Sequence, residues 1–364
     1  MSNAGDAVEF LDHLAAKPAR RRFSLMRACE VGIEPPRWLI RGYLEADTVA
    51  CLFGDPACGK SFLAVDAACC VATGSDFHGH KVKHGPVIYL AGEGRNGLAR
   101  RLRAWSIRHQ EDLDDVPLYL SNGPAALCDG ESAMEVLAAV NSLAEAEGSP
   151  ALIVIDTLAR NFGGGDENST QDMGKVIQVL DAMRTQHQAT LLLVHHTGHA
   201  DKSRGRGSMA LKGALDAEYR MERDEMGITR LIATKMKDAA EPDPLAFKLR
   251  AVELPMLDED GNAVTSAVLD QVGYTAPPRK GSAGRGKNQT AAVGALRQLC
   301  AHHRGNLESA GLEPDGARVA LEEWRDACQE SGIDRRRFPE VLRSLKQQGV
   351  VTVEGGYAYL NNAA

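Results

Sequence analysis

One short segment of the chain combines glycines, a lysine and a hydroxyl at a fixed spacing. Residues 54–61 read Gly-Asp-Pro-Ala-Cys-Gly-Lys-Ser and fit the pattern G-x-x-x-x-G-K-[ST] in full. The glycines let successive backbone N–H groups point at phosphates, Lys60 adds a positive charge, and the Ser61 hydroxyl can hold Mg²⁺. We therefore predict a phosphate loop that binds ATP and Mg²⁺ through Gly54, Asp55, Pro56, Ala57, Cys58, Gly59, Lys60, Ser61 and Phe62.

Two carboxylates stand where apolar, strand-like runs end. Asp156 closes the run ALIVID, and Glu93 comes just after the run VIYLA. Behind a phosphate loop, an aspartate in this position (a Walker B residue) holds the Mg²⁺ water shell opposite Ser61, so Ser61 and Asp156 are the predicted metal residues. Glu93 could orient and deprotonate an attacking water. On the residues alone, a solvated loop glutamate is the competing interpretation.

A histidine pair ends another apolar run. His195 and His196 follow LLLV and could touch the γ-phosphate of a bound nucleotide. Histidine pairs also bind metals, but no third ligand stands at a typical zinc spacing, which favours the phosphate contact. Two polar, glycine-rich loops come after these runs, at 160–172 and 197–209. Loops that follow nucleotide-contacting strands can transmit hydrolysis to a bound polymer.

These residues require a sheet to position them, and the chain alternates strand and helix patterns accordingly. The apolar runs are continuous, as in a parallel sheet covered on both faces. We predict an α/β fold with strands at 48–53, 87–91, 118–121, 152–156 and 190–195 and helices at 60–73, 96–109, 131–147 and 170–187. More polar pieces at 228–234, 245–252 and 264–269 predict antiparallel hairpins that extend the sheet.

The composition changes along the chain predict four segments. Residues 1–44 are charged and mixed and are interpreted as an N-terminal arm, and 45–274 as the ATPase core. Residues 275–289 are rich in Pro, Gly, Ser and basic side chains and predict a flexible linker. Residues 290–364 show three helical patterns, at 290–303, 316–330 and 334–348, and a hairpin after them, which is typical of a winged helix-turn-helix domain.

Composition and charge limit the classes of function. The chain has 364 residues, of which 44% are hydrophobic, so it can bury a large core. Its formal net charge of −7 gives no overall attraction to nucleic acid, and any such binding must use local basic patches. No apolar run is long enough to span a membrane, and eight cysteines without paired ligand spacing favour a reducing cytoplasm. Cys58 could be an oxidation switch, but a small loop residue is the simpler interpretation.

The order of these motifs resembles the RecA-type ATPases of the plasmid RepA replicative-helicase group, relatives of the DnaB helicases. The resemblance covers about residues 38–272 and is carried by GDPACGKS, VIYLAGE, LIVIDTLAR, LLLVHHTGH and RGRGSMALKGALDAEYR. It implies a RecA-like P-loop NTPase core and a homohexameric ring that hydrolyses ATP between subunits and moves single-stranded DNA, with possible replication partners. By the same resemblance, Glu93 is the general base and His196, beside His195, the γ-phosphate sensor.

The resemblance also implies which residues meet DNA. The loops at 160–172 and 197–209 would face the channel of the ring, and Lys202, Arg204 and Arg206 would contact phosphates. Aromatic residues for base stacking are scarce there, since only Phe162 is available. In the C-terminal segment, the arginines at 335–337 open the third helical pattern and could contact DNA, while protein contact and a structural cap are the alternatives.

A ring ATPase needs a cation supplied across the subunit interface to offset charge on the γ-phosphate. Where DnaB-type relatives carry Lys-x-Arg, this chain has Lys235-Met236-Lys237. Lysine stabilises charge but lacks the bidentate fork of arginine, and solvated surface charges are an equal alternative. Arg206 and Lys212 compete for the role, and Arg220 is a further candidate.

Two classes of function fit these features. The first is an ATP-dependent helicase or translocase that acts in the replication of a plasmid, phage or mobile element. The alternative is an ATP-gated DNA-binding switch without unwinding activity. A small-molecule kinase is less consistent with the sequence, because no acceptor pocket or lid is evident and the histidine pair has no role in it.

Overall fold

A computed structural model describes residues 25–198, 205–276, 286–309, 313 and 317–361. By its internal contacts the chain separates into two compact units, Met1–Tyr274 and Thr275–Ala364. The larger unit contains an α/β sheet with helices on both faces, and the smaller one contains helices and a short antiparallel sheet. The predicted α/β class with a RecA-like core is confirmed.

The larger unit is organised around a sheet that has nine strands among the described residues. Its strand order is β11-β10-β9-β8-β3-β7-β6-β4-β5. Those strands are β3 (Val49–Gly54), β4 (Val87–Ala91), β5 (Leu118–Leu120), β6 (Leu152–Asp156), β7 (Thr190–His196), β8 (Ala217–Arg223), β9 (Ile228–Met236), β10 (Leu245–Leu257) and β11 (Ala263–Val272). The six strands from β8 to β5 in this order are parallel, and β9 to β11 are antiparallel.

Helices cover both faces of the parallel strands. They are α1 (Lys60–Thr73), α2 (Arg95–His109), α3 (Gly130–Glu147), α4 (Leu158–Asn161), α5 (Thr170–His187) and α6 (Met209–Ala214). Successive residues of a strand point to opposite faces, so Leu52 packs in the core that includes α1 and α2, while Phe53 packs in the core that includes α3 and α5. Burial on both faces explains why β3, β4 and β6 are continuous apolar runs.

The strand β8 is absent from the sequence prediction and changes the topology. It pairs in parallel with β3, with Met221 opposite Gly54, before the antiparallel hairpins begin. Its sequence AEYRMER alternates, so Ala217, Tyr219 and Met221 are buried while polar residues occupy the other face. Such a period-2 pattern indicates a strand with one polar face. It is harder to recognise than a continuous apolar run, because acidic and basic side chains separate the apolar ones. The predicted antiparallel hairpins themselves are confirmed.

Part of the segment assigned to the N-terminal arm belongs to the core. The strands β1 (Trp38–Ile40) and β2 (Leu44–Glu45) form a small antiparallel pair, and Leu39, Ile40 and Tyr43 are buried. The Tyr43 hydroxyl donates to Asp243 O at 2.7 Å. The buried core therefore includes residues from position 38 on, because these apolar side chains pack against it. Residues 1–24 lie outside the described part of the chain.

The smaller unit has its own core. Its elements are α7 (Lys287–Ser309), β12 (Val319–Ala320), α8 (Leu321–Glu330), α9 (Phe338–Gln347), β13 (Val351–Glu354) and β14 (Tyr357–Leu360), with sheet order β12-β14-β13. Trp324 is fully buried, meets Phe338 edge to face and donates to Ala292 O at 2.7 Å. The second predicted helix starts at Leu321 rather than 316, because residues 319–320 pair with β14.

The third helix of this unit begins later than the sequence predicts. Residues 334–337 form a turn in which Arg336 N–H donates to Asp334 Oδ1 at 2.8 Å. The helix α9 starts at Phe338, so Arg335, Arg336 and Arg337 precede it and are exposed. Aspartate at the start of such a turn competes with helical hydrogen bonding, which explains the later start of the helix.

In the described residues, no helix combines the length and apolar character that crossing a bilayer requires.

Candidate active site

The phosphate loop lies at the carboxyl end of the central strand, between the end of β3 at Gly54 and the start of α1 at Lys60. Lys60 Nζ donates hydrogen bonds to Gly54 O at 2.9 Å and to Asp55 O at 2.8 Å. The ammonium is buried, and burial lowers its pKa. Cys58 Sγ lies 3.9 Å from Lys60 Nζ, but burial raises the pKa of the thiol, which disfavours the reactive thiolate.

Two glycines at this edge cannot be replaced without moving the backbone. A Cβ atom on Gly54 would lie 2.2 Å from Met221 O, and one on Gly92 would lie 2.3 Å from Arg160 Cβ. Gly92 also donates its N–H to Asp156 O at 2.7 Å. Glycine allows this close approach of backbones, so the ends of β3, β4, β6 and β8 meet at one edge.

Asp156 connects the phosphate loop to the neighbouring strands. Ser61 Oγ donates to Asp156 Oδ1 at 3.1 Å, and the Tyr89 hydroxyl donates to Asp156 Oδ2 at 2.6 Å. Burial raises the pKa of Asp156, and these two hydrogen bonds oppose that effect. Each carboxylate oxygen thus has a donor that fixes its direction.

Ser61 and Asp156 fit the requirements of a Mg²⁺ site. Mg²⁺ prefers oxygen ligands and often uses one or two carboxylates together with phosphate oxygens. A hydroxyl and a buried carboxylate within hydrogen-bond distance supply this donor set beside a phosphate loop. A bound Mg²⁺ would neutralise charge that develops on the phosphates. The described residues hold no group of three or more His, Cys, Asp or Glu side chains arranged for a metal, so phosphate and water oxygens would complete the ligand set.

Glu93 lies in the turn between β4 and α2 and is exposed. Burial dominates the pKa shifts of Asp156 and His196, and the Glu93 charge adds an upward contribution to both. Glu93 is therefore close enough to Asp156 and His196 for its charge to act on them. An exposed carboxylate at this edge is accessible to water, as a general base requires.

The two histidines differ in environment although they are adjacent. His195 is fully buried, and burial lowers its pKa to about 4, which keeps the ring neutral. Its Nε2 donates to Arg206 O at 2.7 Å. His196 is half-buried, and its pKa is lowered first by burial and then by the Lys60 charge. The Nδ1 atom of His196 is buried and has no hydrogen-bond partner among the described residues, so a polar ligand at this edge would satisfy it.

The loop after β7 is tied to the phosphate loop and to the loop after β6. Thr197 Oγ1 donates to Asp55 Oδ1 at 2.5 Å, and Ser208 N–H donates to Glu167 O at 2.9 Å. Phe162 is buried, so it has no free face for base stacking. The predicted loop 160–172 also contains the end of α4 and the start of α5.

The predicted DNA-contacting and trans-acting cations are dispersed. Lys202 and Arg204 lie outside the described residues, while Arg206 Nε lies 3.3 Å from Glu167 Oε2. Lys212 pairs with the buried Glu218 at 2.9 Å. Arg220 Nη2 lies 3.3 Å from Glu222 Oε2, and Arg220 Nε is buried and finds no hydrogen-bond partner in the described ranges.

The structure does not bring Lys235 and Lys237 to the phosphate loop of their own chain. They lie near the amino end of β8, because Lys235 is opposite Glu218 and Lys237 N–H donates to Asp216 O. Lys235 Nζ donates to Lys212 O at 2.8 Å and to Leu215 O at 2.5 Å, which caps α6. Lys237 is 60% exposed and pairs with Asp216 at 3.3 Å.

Sequence reasoning missed three residues of this site. Tyr89 appears in the sequence as an ordinary strand residue, yet its hydroxyl reaches Asp156 across the sheet. Glu167 and Thr197 are loop residues whose partners come from other loops. Of the three, only Tyr89 could have been found from the sequence. A buried tyrosine hydroxyl requires a hydrogen-bond partner, and Asp156, at the end of another predicted strand, was a suitable acceptor.

Two curated proteins are similar to this chain, both called DNA repair protein RadA, from the CDC 1551/Oshkosh and the ATCC 25618/H37Rv strains of Mycobacterium tuberculosis. Each is 25% identical over 210 residues, which is 57% of this chain and 38% of the relative. The chain thus spans well under half of the length of these relatives.

A protein-family model described as an AAA domain matches residues 15–202, just over half of the chain. That range contains the phosphate loop, Glu93, Asp156 and the histidine pair. The fold and the similarity to RadA are those of a RecA-like P-loop ATPase. The protein belongs to the AAA domain family.

Proposed function

We propose that this protein is an ATP-driven motor of the RepA type that moves along single-stranded DNA as a homohexameric ring, within the replication of a plasmid, phage or mobile element. One observation carries the proposal: Lys60, Ser61, Asp156, Glu93 and the histidine pair come to the same edge of the sheet from four separate strands. A phosphate cradle, a metal-holding pair, a base and a phosphate sensor together support hydrolysis rather than binding alone.

The proposed reaction is the attack of a water molecule on the γ-phosphorus of ATP. Glu93 accepts a proton from that water, the bond from the γ-phosphorus to the bridging oxygen breaks, and ADP and phosphate are released. Lys60 offsets charge on the outer phosphates. His196 Nδ1 is buried and has no partner among the residues that the structure describes, so it is suited to detect whether the γ-phosphate is present. Ser61 and Asp156 would hold Mg²⁺, which would offset charge on the phosphates.

The DNA part of the proposal depends on the loops at this edge and on the smaller unit. The described residues of the loops after β6 and β7 lie beside the nucleotide edge and include Arg206. The name of the RadA relatives supports DNA as the polymer. We propose that the smaller unit is a winged-helix domain reached through a linker, with the exposed arginines at 335–337 as its contacts to phosphates. The sequence predicts this linker over 275–289 and the first helix from 290, but α7 already begins at Lys287, so the linker ends before that residue.

We choose the candidate for the cation that acts across the subunit interface by the exposure of its side chain. Lys237 is the best placed of the described candidates, because its side chain is 60% exposed and it has a single surface ion pair. Lys235 is occupied by two carbonyl groups of its own chain. A cation at the amino end of β8 is remote from its own phosphate loop and would serve a neighbouring subunit.

One observation favours the alternative of an ATP-gated DNA-binding switch. Lys212, Arg206 and Arg220 each meet an acidic side chain of their own chain. An ATPase without an efficient cation hydrolyses slowly, and slow hydrolysis suits a switch that binds DNA in the ATP state without unwinding it.

A strand-displacement assay on a forked DNA duplex separates the two functions. The motor is expected to hydrolyse ATP faster with single-stranded DNA and to release one strand of the fork in an ATP-dependent way. A switch would bind the fork with ATP and leave it paired. Electron microscopy with a non-hydrolysable ATP analogue and a single-stranded oligonucleotide tests the ring. Wild-type protein that hydrolyses ATP but neither binds nor unwinds DNA would contradict both functions.

A further inference from the structure

The backbone of Arg206 is attached to both histidines at the nucleotide edge. Its N–H donates to His196 O at 2.8 Å, and its C=O accepts from His195 Nε2 at 2.7 Å. Arg206 therefore shares any displacement of the histidine pair. A γ-phosphate that draws His196 toward itself would change the position of the Arg206 side chain.

The Arg206 side chain meets a carboxylate from the loop after β6. Arg206 Nε lies 3.3 Å from Glu167 Oε2, with the Glu167 side chain 9% exposed and the Arg206 side chain 43% exposed. Glu167 Oε2 is buried and makes no hydrogen bond within the part of the chain that the structure describes. A buried carboxylate oxygen without a hydrogen bond is poorly satisfied, so the Glu167 carboxylate holds the Arg206 guanidinium less firmly than a hydrogen-bonded pair would, and a phosphate can compete for the guanidinium.

The backbone around this ion pair holds the two loops together independently of it. Ser208 N–H donates to Glu167 O at 2.9 Å. Gly207 has a φ of 92°, and a Cβ atom there would lie 2.9 Å from the same oxygen. Thr170 Oγ1 and Ser208 Oγ are 3.3 Å apart. The side-chain pair can therefore open while the backbone stays in contact.

We propose that Glu167 is an internal competitor for nucleic acid: its carboxylate occupies the Arg206 guanidinium in the idle state, and a nucleic-acid phosphate displaces it when the histidine pair responds to a bound γ-phosphate. A guanidinium donates to carboxylate and phosphate oxygens in the same geometry, so the two acids exclude each other. This device rests on the proposed function, because it regulates the DNA contact of that same site.

Fluorescence anisotropy with a labelled oligo-dT tests the device in the full chain. In the absence of nucleotide, Glu167→Gln should bind the oligonucleotide about tenfold more tightly than wild type, and the ATP analogue should add little further affinity. Asp181→Asn is the control for charge, because it removes the same charge from an exposed acid that is paired with another arginine, at 3.8 Å from Arg184. Its affinity should equal that of wild type.

The double variant shows whether the tighter oligonucleotide binding of Glu167→Gln depends on Arg206. In Glu167→Gln/Arg206→Ala the gain should vanish, since the two residues are coupled. If wild-type affinity rises with the ATP analogue while Glu167→Gln behaves as wild type in both conditions, the competitor is wrong and the proposed function stands. If neither protein binds oligo-dT under any condition, the proposed function fails and the competitor fails with it.

Discussion

The Tyr89 hydroxyl donates a hydrogen bond of 2.6 Å to Asp156 Oδ2 from the adjacent parallel strand. The other oxygen of the same carboxylate accepts from Ser61 at the start of α1. Two donors from two elements leave the carboxylate one orientation, with Oδ1 directed to the phosphate loop. The position of the metal-holding pair is thus set by a residue that does not itself contact the phosphate loop.

Tyr89→Phe should weaken the response of ATP hydrolysis to Mg²⁺ because the ring remains and only the buried donor is lost. Removal of a residue that orients a metal ligand typically costs about 10–100-fold in metal affinity. The measurement is the Mg²⁺ concentration that gives half-maximal hydrolysis. Tyr119→Phe, at a half-buried tyrosine on the edge strand β5, is the control. An unchanged Mg²⁺ requirement in Tyr89→Phe would show that Asp156 needs no such orientation.

Glu93→Gln should separate nucleotide binding from hydrolysis. The amide cannot accept a proton from water, so turnover should fall about a hundredfold or more, while a fluorescent ATP analogue still binds. Lys60→Ala provides the contrast, since it removes the charge inside the phosphate loop and should abolish turnover by weakening nucleotide binding. Stopped-flow binding and phosphate release measure the two steps. Hydrolysis by Glu93→Gln at the wild-type rate would move the general base to another residue.

The buried His195 should make the folded state less stable in acid. Folding lowers its pKa from its ordinary value of 6.5 to about 4, so between these values the unfolded chain binds a proton that the folded chain does not. The contribution of the neutral His195 to the free energy of unfolding is fully present above pH 6.5, and the free energy of unfolding falls by about 3 kcal/mol as the pH drops to 4. His195→Gln keeps a donor for Arg206 O and should flatten this part of the urea-unfolding profile.

The control for that profile is His84→Gln, at an exposed histidine. The slope of its unfolding free energy against pH is the baseline with which the slope for His195→Gln is compared. Equal slopes for all three proteins between pH 4 and 6.5 would mean that His195 is protonated in the folded state.

Asp66 should be a large contributor to stability because it satisfies two buried donors. Trp105 Nε1 donates to Asp66 Oδ1 at 2.7 Å, and His78 Nε2 lies 2.6 Å from Asp66 Oδ2. Asp66→Ala leaves both groups buried without an acceptor and should cost about 3 kcal/mol. Asp76→Ala removes an exposed pair with Lys81 and should cost about 0.5 kcal/mol or less. Comparable losses in urea unfolding would contradict this role.

The sequence was sufficient to predict five of the six parallel strands of the described sheet, because their signal is local. β3, β4 and β6 are buried on both faces, and such strands consist of continuous apolar residues. β8 was missed because its polar face interrupts the apolar run. The strand pair at 38–45 was missed because two short strands between charged residues carry little periodicity.

The catalytic candidates were predicted from motifs, whereas the contacts that hold the surrounding residues in place were not. The phosphate loop and Asp156 follow from patterns in which each residue type has a chemical reason. Lys235, in β9, donates to the carbonyl groups of Lys212 and Leu215 at the end of α6. These residues are distant in sequence, so no local pattern encodes the contact. The same holds for Glu167, whose partner Arg206 is reached only through the histidine strand.

Lys237→Ala should reduce turnover about a hundredfold if it supplies charge to the nucleotide of a neighbouring subunit. Its surface ion pair with Asp216 is 3.3 Å long and 60% exposed at the lysine, so loss of the pair should barely change stability. Lys235→Ala is the contrast, because it removes the cap of α6 and should lower the unfolding temperature.

Mixed rings identify a cation that acts across the interface. Lys237→Ala subunits retain Glu93, and Glu93→Gln subunits retain Lys237, so an interface that combines the two has one intact base and one intact cation. The mixture should hydrolyse ATP faster than either variant alone. Because a residue acting within its own subunit cannot be complemented in this way, activity no higher than that of the separate variants would exclude Lys237 as the trans-acting cation.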